Sequence, residues 1–140
     1  MTINYSSDND IIIPTQHNTT YRGLAGDDIY IITRAISDGA KINIVDTEGT
    51  NIIQLTEGLS ISSSKFASTA FQIILSNNAK ITINSSHKNL YEIGGNATTG
   101  LIVDQNSYED FINHFGINSL PSIKSIKGLT NLIIEDEIVK

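Results

Sequence analysis

Phe71-Gln72-Ile73-Ile74-Leu75-Ser76-Asn77-Asn78-Ala79-Lys80-Ile81-Thr82-Ile83 is the stretch on which the fold class turns. Phe71, Ile73 and Leu75 alternate with Gln72, Ile74 and Ser76; beyond the paired asparagines, Ile81 and Ile83 alternate with Lys80 and Thr82. Successive side chains of a strand point to opposite faces, so this alternation predicts two strands sharing one apolar face. A two-residue Asn77-Asn78 loop suits a type I′ turn but sets Lys80 against Leu75. A three-residue loop that includes Ala79 aligns the apolar faces, and burial selects it, because a one-residue slip exchanges the faces. The expectation is an antiparallel hairpin over 71–83.

Composition extends this reading to the whole chain. Ile supplies 26 of the 140 residues, while Ser, Thr and Asn together supply 42, a mixture of strand formers and turn formers. N-terminal to the hairpin, short apolar runs follow Gly or Asp turns at intervals of about ten residues. These runs are Asp28–Thr33, Lys41–Val45, Asn51–Leu55 and Leu59–Ile61. The unbroken Ile29-Tyr30-Ile31-Ile32 predicts burial on both faces of its strand. Ile11-Ile12-Ile13 is cut off by Pro14, which has no N–H for a central ladder, so it reads as an edge strand or a docked arm.

On the C-terminal side, Asn89–Ile93 reads as a strand, followed by the Gly94–Gly100 loop and a strand at Leu101–Val103. A helix is predicted over Tyr108–Phe115. Ser107 caps it, Asp110 lies three residues on, Gly116 stops it, and Phe111, Ile112 and Phe115 form its apolar stripe. Thr130–Ile134 is the last strand. A chain of this length suits one domain with its own core. The fold expected is all-β: a small sandwich or roll of short strands, with the antiparallel hairpin and one short C-terminal helix. Residues 1–22 read as an N-terminal arm, 23–104 as the β-domain, and 105–140 as the helix plus a terminal strand packed on that domain.

Charge narrows the function. The net charge is −6, and the nine basic residues are scattered along the chain. A phosphate backbone and an anionic membrane both call for clustered Lys and Arg, so neither nucleic acid nor membrane is an expected partner. No apolar run approaches the roughly 20 residues of a spanning helix, and Met1-Thr2-Ile3-Asn4-Tyr5 lacks the basic start of a cleaved signal peptide.

One segment has a spacing that suggests a chemistry: Gly23-Leu24-Ala25-Gly26-Asp27-Asp28-Ile29-Tyr30-Ile31. Glycines let a backbone turn its carbonyls toward a common centre, and adjacent carboxylates add hard oxygen ligands of the kind Ca²⁺ takes. The segment resembles the calcium-binding nonapeptide of the RTX (repeats-in-toxin) secreted proteins, G-G-x-G-x-D-x-U-x with U large and apolar. Gly23, Gly26, Asp28 and Tyr30 match its first, fourth, sixth and eighth places, and Leu24 replaces the second glycine. The next nine residues, Ile32–Ala40, do not repeat the pattern. The nearest degenerate partner is Glu48-Gly49-Thr50-Asn51-Ile52-Ile53.

The resemblance implies a Ca²⁺ held by Asp28, with carbonyls near Gly23 and Ala25, Asp27 in a secondary role, and the far side supplied near Glu48–Asn51, with Asn51 as the side-chain donor. It also implies export by type I secretion, for which the acidic and apolar tail Glu135–Lys140 resembles the uncleaved signal of such proteins. Against a wholly parallel roll of that family stands the antiparallel hairpin at 71–83.

No other constellation amounts to an enzyme signature. His17, His87 and His114 lie in separate segments without metal-ligand spacing. No serine occupies a G-x-S-x-G elbow, and the Gly94–Gly100 loop lacks the Lys of a P-loop. Sugar binding calls for stacked aromatics, and the chain has no Trp. The reading that results is a non-catalytic, extracellular, calcium-stabilised β-module that sits beside neighbouring domains of a larger secreted protein. The alternative is a self-associating structural or adhesive subunit built on edge strands such as Ile11–Ile13.

Overall fold

The computed structural model describes residues 1–56, 58–95, 105–121 and 124–134. The first six strands are β1 (Thr2–Asn4), β2 (Ile11–Ile12), β3 (Thr19–Arg22), β4 (Ile29–Ile32), β5 (Lys41–Ile44) and β6 (Ile52–Thr56). They fall alternately into two sheets, and every ladder among them is parallel. The chain therefore winds as a roll, each coil contributing one strand to each sheet. Ile11 pairs with Ile29 and Ile29 with Ile52, so the coils are 18 and then 23 residues long.

After β6 the chain leaves the winding. Strands β7 (Ser60–Phe66), β8 (Ala70–Leu75) and β9 (Lys80–Asn84) each run antiparallel to the next, and β9 also joins β5 in parallel. A 3₁₀ turn at Ser86–Lys88 leads into β10 (Leu90–Gly95), which joins β6 in parallel and completes a fourth coil. The first sheet runs β1-β3-β5-β9-β8-β7, and the second β10-β6-β4-β2. Helix α1 (Tyr108–Asn113) packs on β10, and two short strands, β11 (Ile126–Lys127) and β12 (Leu132–Ile133), pair with β7. The chain is thus all-β, in the form of a roll carrying an antiparallel excursion and one short helix. Residues 1–22, which read from sequence as an arm, form β1 and β2, the first coil, and β3, the opening strand of the second.

Parallel pairing stacks like side chains into columns. In the first sheet Tyr21, Ile44, Ile83, Phe71 and Phe66 follow one another across the strands; in the second, Ile12, Tyr30, Ile53 and Tyr91 do so. All are buried between the sheets. Ile31 is buried on the opposite face of β4, as the unbroken run Ile29–Ile32 implied, and beside it Gln54 and Glu92 form a buried 2.6 Å hydrogen bond. All four phenylalanines meet Tyr91 and Tyr108 at the hairpin end, with Tyr91 stacked on Phe111 at 4.2 Å. That aromatic cluster closes one end of the roll.

The hairpin has the apolar alignment the alternation demands. Phe71 faces Ile83 and Ile73 faces Ile81, across a three-residue loop. The loop is Ser76–Asn78 and not one that includes Ala79, because Ala79 is fully buried opposite Leu75. In α1 the Ser107 hydroxyl accepts from the Asp110 N–H at 3.1 Å, and Phe111, Ile112 and Phe115 are buried. Strand β7 continues past Ile61, where the apolar run ends, because antiparallel pairing to β8 holds Ser62-Ser63-Ser64-Lys65 extended although that segment carries no apolar alternation. Leu101–Val103, most of the Gly94–Gly100 loop and Glu135–Lys140 lie outside the described residues.

Truncating Ile73, which lies at the centre of the hairpin core, to Ala should cost about 2–5 kcal/mol in denaturant unfolding. Gln72→Ala on the opposite face should change stability by no more than about 0.5 kcal/mol. Equal losses at the two positions would contradict this facing.

Candidate functional site

A parallel coil must turn a corner after each strand, and the backbone N–H groups at that corner need partners. On the side where first-sheet strands end and second-sheet strands begin, the side chains of Asn9, Asp27, Asp28 and Asn51 supply them. Asp10, Asp28, Asn51 and Asn89 each immediately precede the aligned residues Ile11, Ile29, Ile52 and Leu90, so they form a column down the roll. Asp28 Oδ1 accepts from the Asp10 N–H at 2.8 Å, and Asn51 Oδ1 accepts from the Asp28 N–H at 2.9 Å. The backbone carbonyls of Asp10, Asp28 and Asn51 accept in turn from the N–H groups of Ile29, Ile52 and Leu90. A neighbouring column runs the other way: Asn9 Oδ1 accepts from the Asp27 N–H at 2.7 Å, and Asp27 Oδ1 from the Thr50 N–H at 2.8 Å.

The corner also brings two carboxyls together. Asp28 is fully buried, and its Oδ2 has no partner apart from the adjoining carboxyl of Asp46. Asp46 is itself buried and accepts a 2.6 Å hydrogen bond from the Tyr30 hydroxyl. Gly23 closes the group: a Cβ there would collide with Asp28 Oδ2, Asp46 Oδ2 and the Tyr30 oxygen. Burial, above all, pushes the Asp28 carboxyl up to about 7, and the neighbouring Asp46 and Asp10 add to the effect while the Asp10 N–H opposes it. Burial likewise raises the Tyr30 phenol, assisted by Asp46.

The residues named from sequence are distributed unevenly around this centre. Asp28 and Gly23 are in it. Asp27 is exposed and its carboxylate caps Thr50, and Ala25 is half-buried in the same turn. Asn51 braces the corner, its Oδ1 taken by the Asp28 N–H and its Nδ2 donating to the Glu48 carbonyl at 3.0 Å. Asp46 was not singled out as a ligand from sequence. Its only signal in the sequence is its place in the acidic stretch Asp46-Thr47-Glu48, since its alignment beside Gly23 depends on a 23-residue coil offset. Leu24, where the resemblance places a glycine, has φ +64°, and Gly26 has φ +93°, both in the left-handed region that favours glycine.

In chemical terms, two buried carboxylates and a phenol oxygen offer hard oxygen donors and no nucleophile–base pair. Among the described residues no group of three or more His, Cys, Asp or Glu converges. His17, His87 and His114 are all exposed, on separate segments. Four tyrosines are buried and Tyr5 is half-buried, so none forms an open platform for a sugar ring. Compared with family models, curated proteins and solved structures, the chain matches none.

Two outcomes test this geometry. Gly23→Ala should cost about 1–3 kcal/mol, the range for overpacking a core, because three buried oxygens must give way; a change below about 0.5 kcal/mol in denaturant unfolding would refute the crowding. The second concerns pH. The fold holds the Asp28 proton more tightly than the unfolded chain, whose Asp titrates near about 4. Its proton-linked contribution is therefore most favourable below that range and declines as pH rises to about 7. Asp28→Asn should remove this decline, since an amide keeps the Oδ1 acceptor and can donate to Asp46. An unchanged pH profile of stability in the variant would refute the assignment.

Proposed function

We propose that this chain is a non-catalytic, calcium-stabilised β-roll module of an exported RTX-like protein. The observation that carries the reading is the buried pair of Asp28 and Asp46, with one Asp28 oxygen unpartnered, at the turn that resembles the calcium nonapeptide. Burying two like charges side by side is costly unless they are neutralised. A Ca²⁺ would supply that neutralisation, and its preference for oxygen donors fits a set made of two carboxylates and nearby hydroxyl and carbonyl oxygens. Asp28 and Asp46 would hold it, and Gly23 keeps the space between them free of a side chain. Asp27 and Asn51 would act by holding the corner loops in register and not as ligands. The coil offsets agree with the same reading: Gly49, Thr50 and Asn51 stand one coil from Gly26, Asp27 and Asp28, as the degenerate partner segment implied.

Self-association is the second reading. It is favoured by the first coil, where the outer edges of β1 and β2 pair with no described residue while Ile11 is 62% and Ile13 47% exposed. In that case sedimentation of the purified chain shows species larger than a monomer.

Melting curves after chelation, with and without added Ca²⁺, test the calcium reading at a pH above 7, where the Asp28 carboxyl gives up its proton. At a hundredfold excess over Kd the ion should stabilise the fold by about 2.7 kcal/mol, several degrees in melting temperature. Asp28→Asn and Asp46→Asn should each remove most of that increment, and Asp27→Asn should retain it. Mg²⁺ should substitute poorly, because it demands near-octahedral geometry. A melting curve that Ca²⁺ leaves unmoved would sink the proposal.

A further inference from the structure

The outer face of the first sheet, turned away from the core, separates charge in a way the sequence does not announce. Side chains alternating with the buried ones place Thr2, Asn4, Thr20, Arg22, Lys41 and Asn43 on this face of β1, β3 and β5. Beyond them Lys80, Thr82, Gln72, Lys65 and Lys127 continue it across β9, β8, β7 and β11. Five of the nine basic residues thus share one face of a chain whose net charge is −6, and no described residue of these strands on that face is acidic. The acids Asp8, Asp10, Asp27, Asp28, Asp46 and Glu48 lie instead on the corner described above.

The face is also shaped. A groove of about 330 Å³ is lined by Lys65, Lys80 and Lys127 with Ser63, Gln72 and Thr130, and Ile74 lies beside Lys80 within it. A second depression of about 190 Å³ shares Lys65 and Gln72 with it and continues toward Thr82 and Ser125. Next to these grooves the neutral groups are already ordered: Asn84 Nδ2 donates to Asn43 Oδ1 at 2.6 Å, and Asn43 Nδ2 to Thr20 Oγ1 at 3.4 Å.

We propose that this face binds an anionic polysaccharide, its carboxylates paired with Lys65, Lys80 and Lys127 and its hydroxyls with the Gln, Ser and Thr side chains between them. Charge complementarity selects an anion, and the spacing of the charges selects the class. Duplex nucleic acid presents about one charge per 1.7 Å and rewards dense Lys and Arg, and single strands reward stacked aromatics. On the described part of this face single lysines are separated by Ser, Gln and Thr groups and by Ile74, and no aromatic ring is exposed. Charge pairing and hydrogen bonding, and not the ring stacking used for neutral sugars, therefore select a polymer carrying one carboxylate per ring. The proposal does not rest on calcium binding, since no residue of the face belongs to the Asp28–Asp46 pair.

The test measures binding of the purified chain to polygalacturonate by titration calorimetry in chelating buffer, with neutral dextran and a single-stranded DNA oligomer as parallel probes. Polygalacturonate should bind at low ionic strength and weaken severalfold toward about 150 mM salt, where charges are screened beyond about 8 Å. The triple variant Lys65→Gln, Lys80→Gln, Lys127→Gln should lose affinity at least about tenfold, since it removes the three charges that line the groove. Arg34→Gln, off the face, should bind as the parent does. Amide NMR shifts on titrating the unmodified chain provide a readout that does not depend on the variant folding, and they should centre on Lys65, Gln72, Lys80 and Lys127. No binding at low salt, shifts centred elsewhere, or unchanged affinity in a folded triple variant would overturn the proposal. DNA or dextran binding as tightly as polygalacturonate would overturn the class of ligand.

Discussion

The structure depends on how a parallel roll satisfies its corners. Strands that wind in one direction cannot be joined by two-residue hairpins, so each coil ends in loops whose amides and carbonyls have no ladder of their own. The column Asp10–Asp28–Asn51, with Asn9–Asp27–Thr50 beside it, ties each corner to the next through short side chains that reach backbone N–H groups. Short Asx side chains do this because their oxygen lies within reach of a neighbouring turn without displacing it. The stacked columns of Ile and Tyr between the sheets follow from the register those corners impose. A slip of one residue would turn Tyr30 and Ile53 outward together.

The same corner has a cost. Asp28 and Asp46 lie buried side by side, with Tyr30 donating to one of them and Gly23 leaving no room for a further side chain. Neutral residues at 28 and 46 would brace the coil as Asn51 does one step on, without the charge. A proton on Asp28 relieves the repulsion, so the contribution of this corner to stability changes with pH.

The two ends of the roll are finished differently. At the C-terminal end β8 and β7 extend the first sheet past β9, the strand of its last coil, and α1 and the aromatic cluster of Phe66, Phe71, Tyr91, Phe111 and Phe115 cover the core. At the N-terminal end β1 and β2 are edges. The same excursion carries Lys65 and, by pairing β11, Lys127 to the outer face beside Lys80, so the element that closes the core also assembles the basic face.

The sequence by itself determined the local elements. Alternation at Phe71–Ile83 settles the hairpin and its buried face, because period two leaves one facing that buries Ile73 and Ile81. Ser107, the stripe at Phe111, Ile112 and Phe115, and Gly116 settle the helix in the same local way. The turn at Gly23–Asp28 and its counterpart at Gly49–Asn51 were legible too, as Gly and Asx residues at matching offsets. Only tertiary structure decided that the strands wind in parallel, since a strand such as β5 reads the same whichever direction its neighbour runs. It alone placed Asp46 against Asp28 and gathered Arg22, Lys41, Lys65, Lys80 and Lys127 onto one face. The physical reason is shared: coils of 18 and 23 residues and an inserted hairpin give the contacts no constant period, so residues adjacent in space carry no common spacing in the chain.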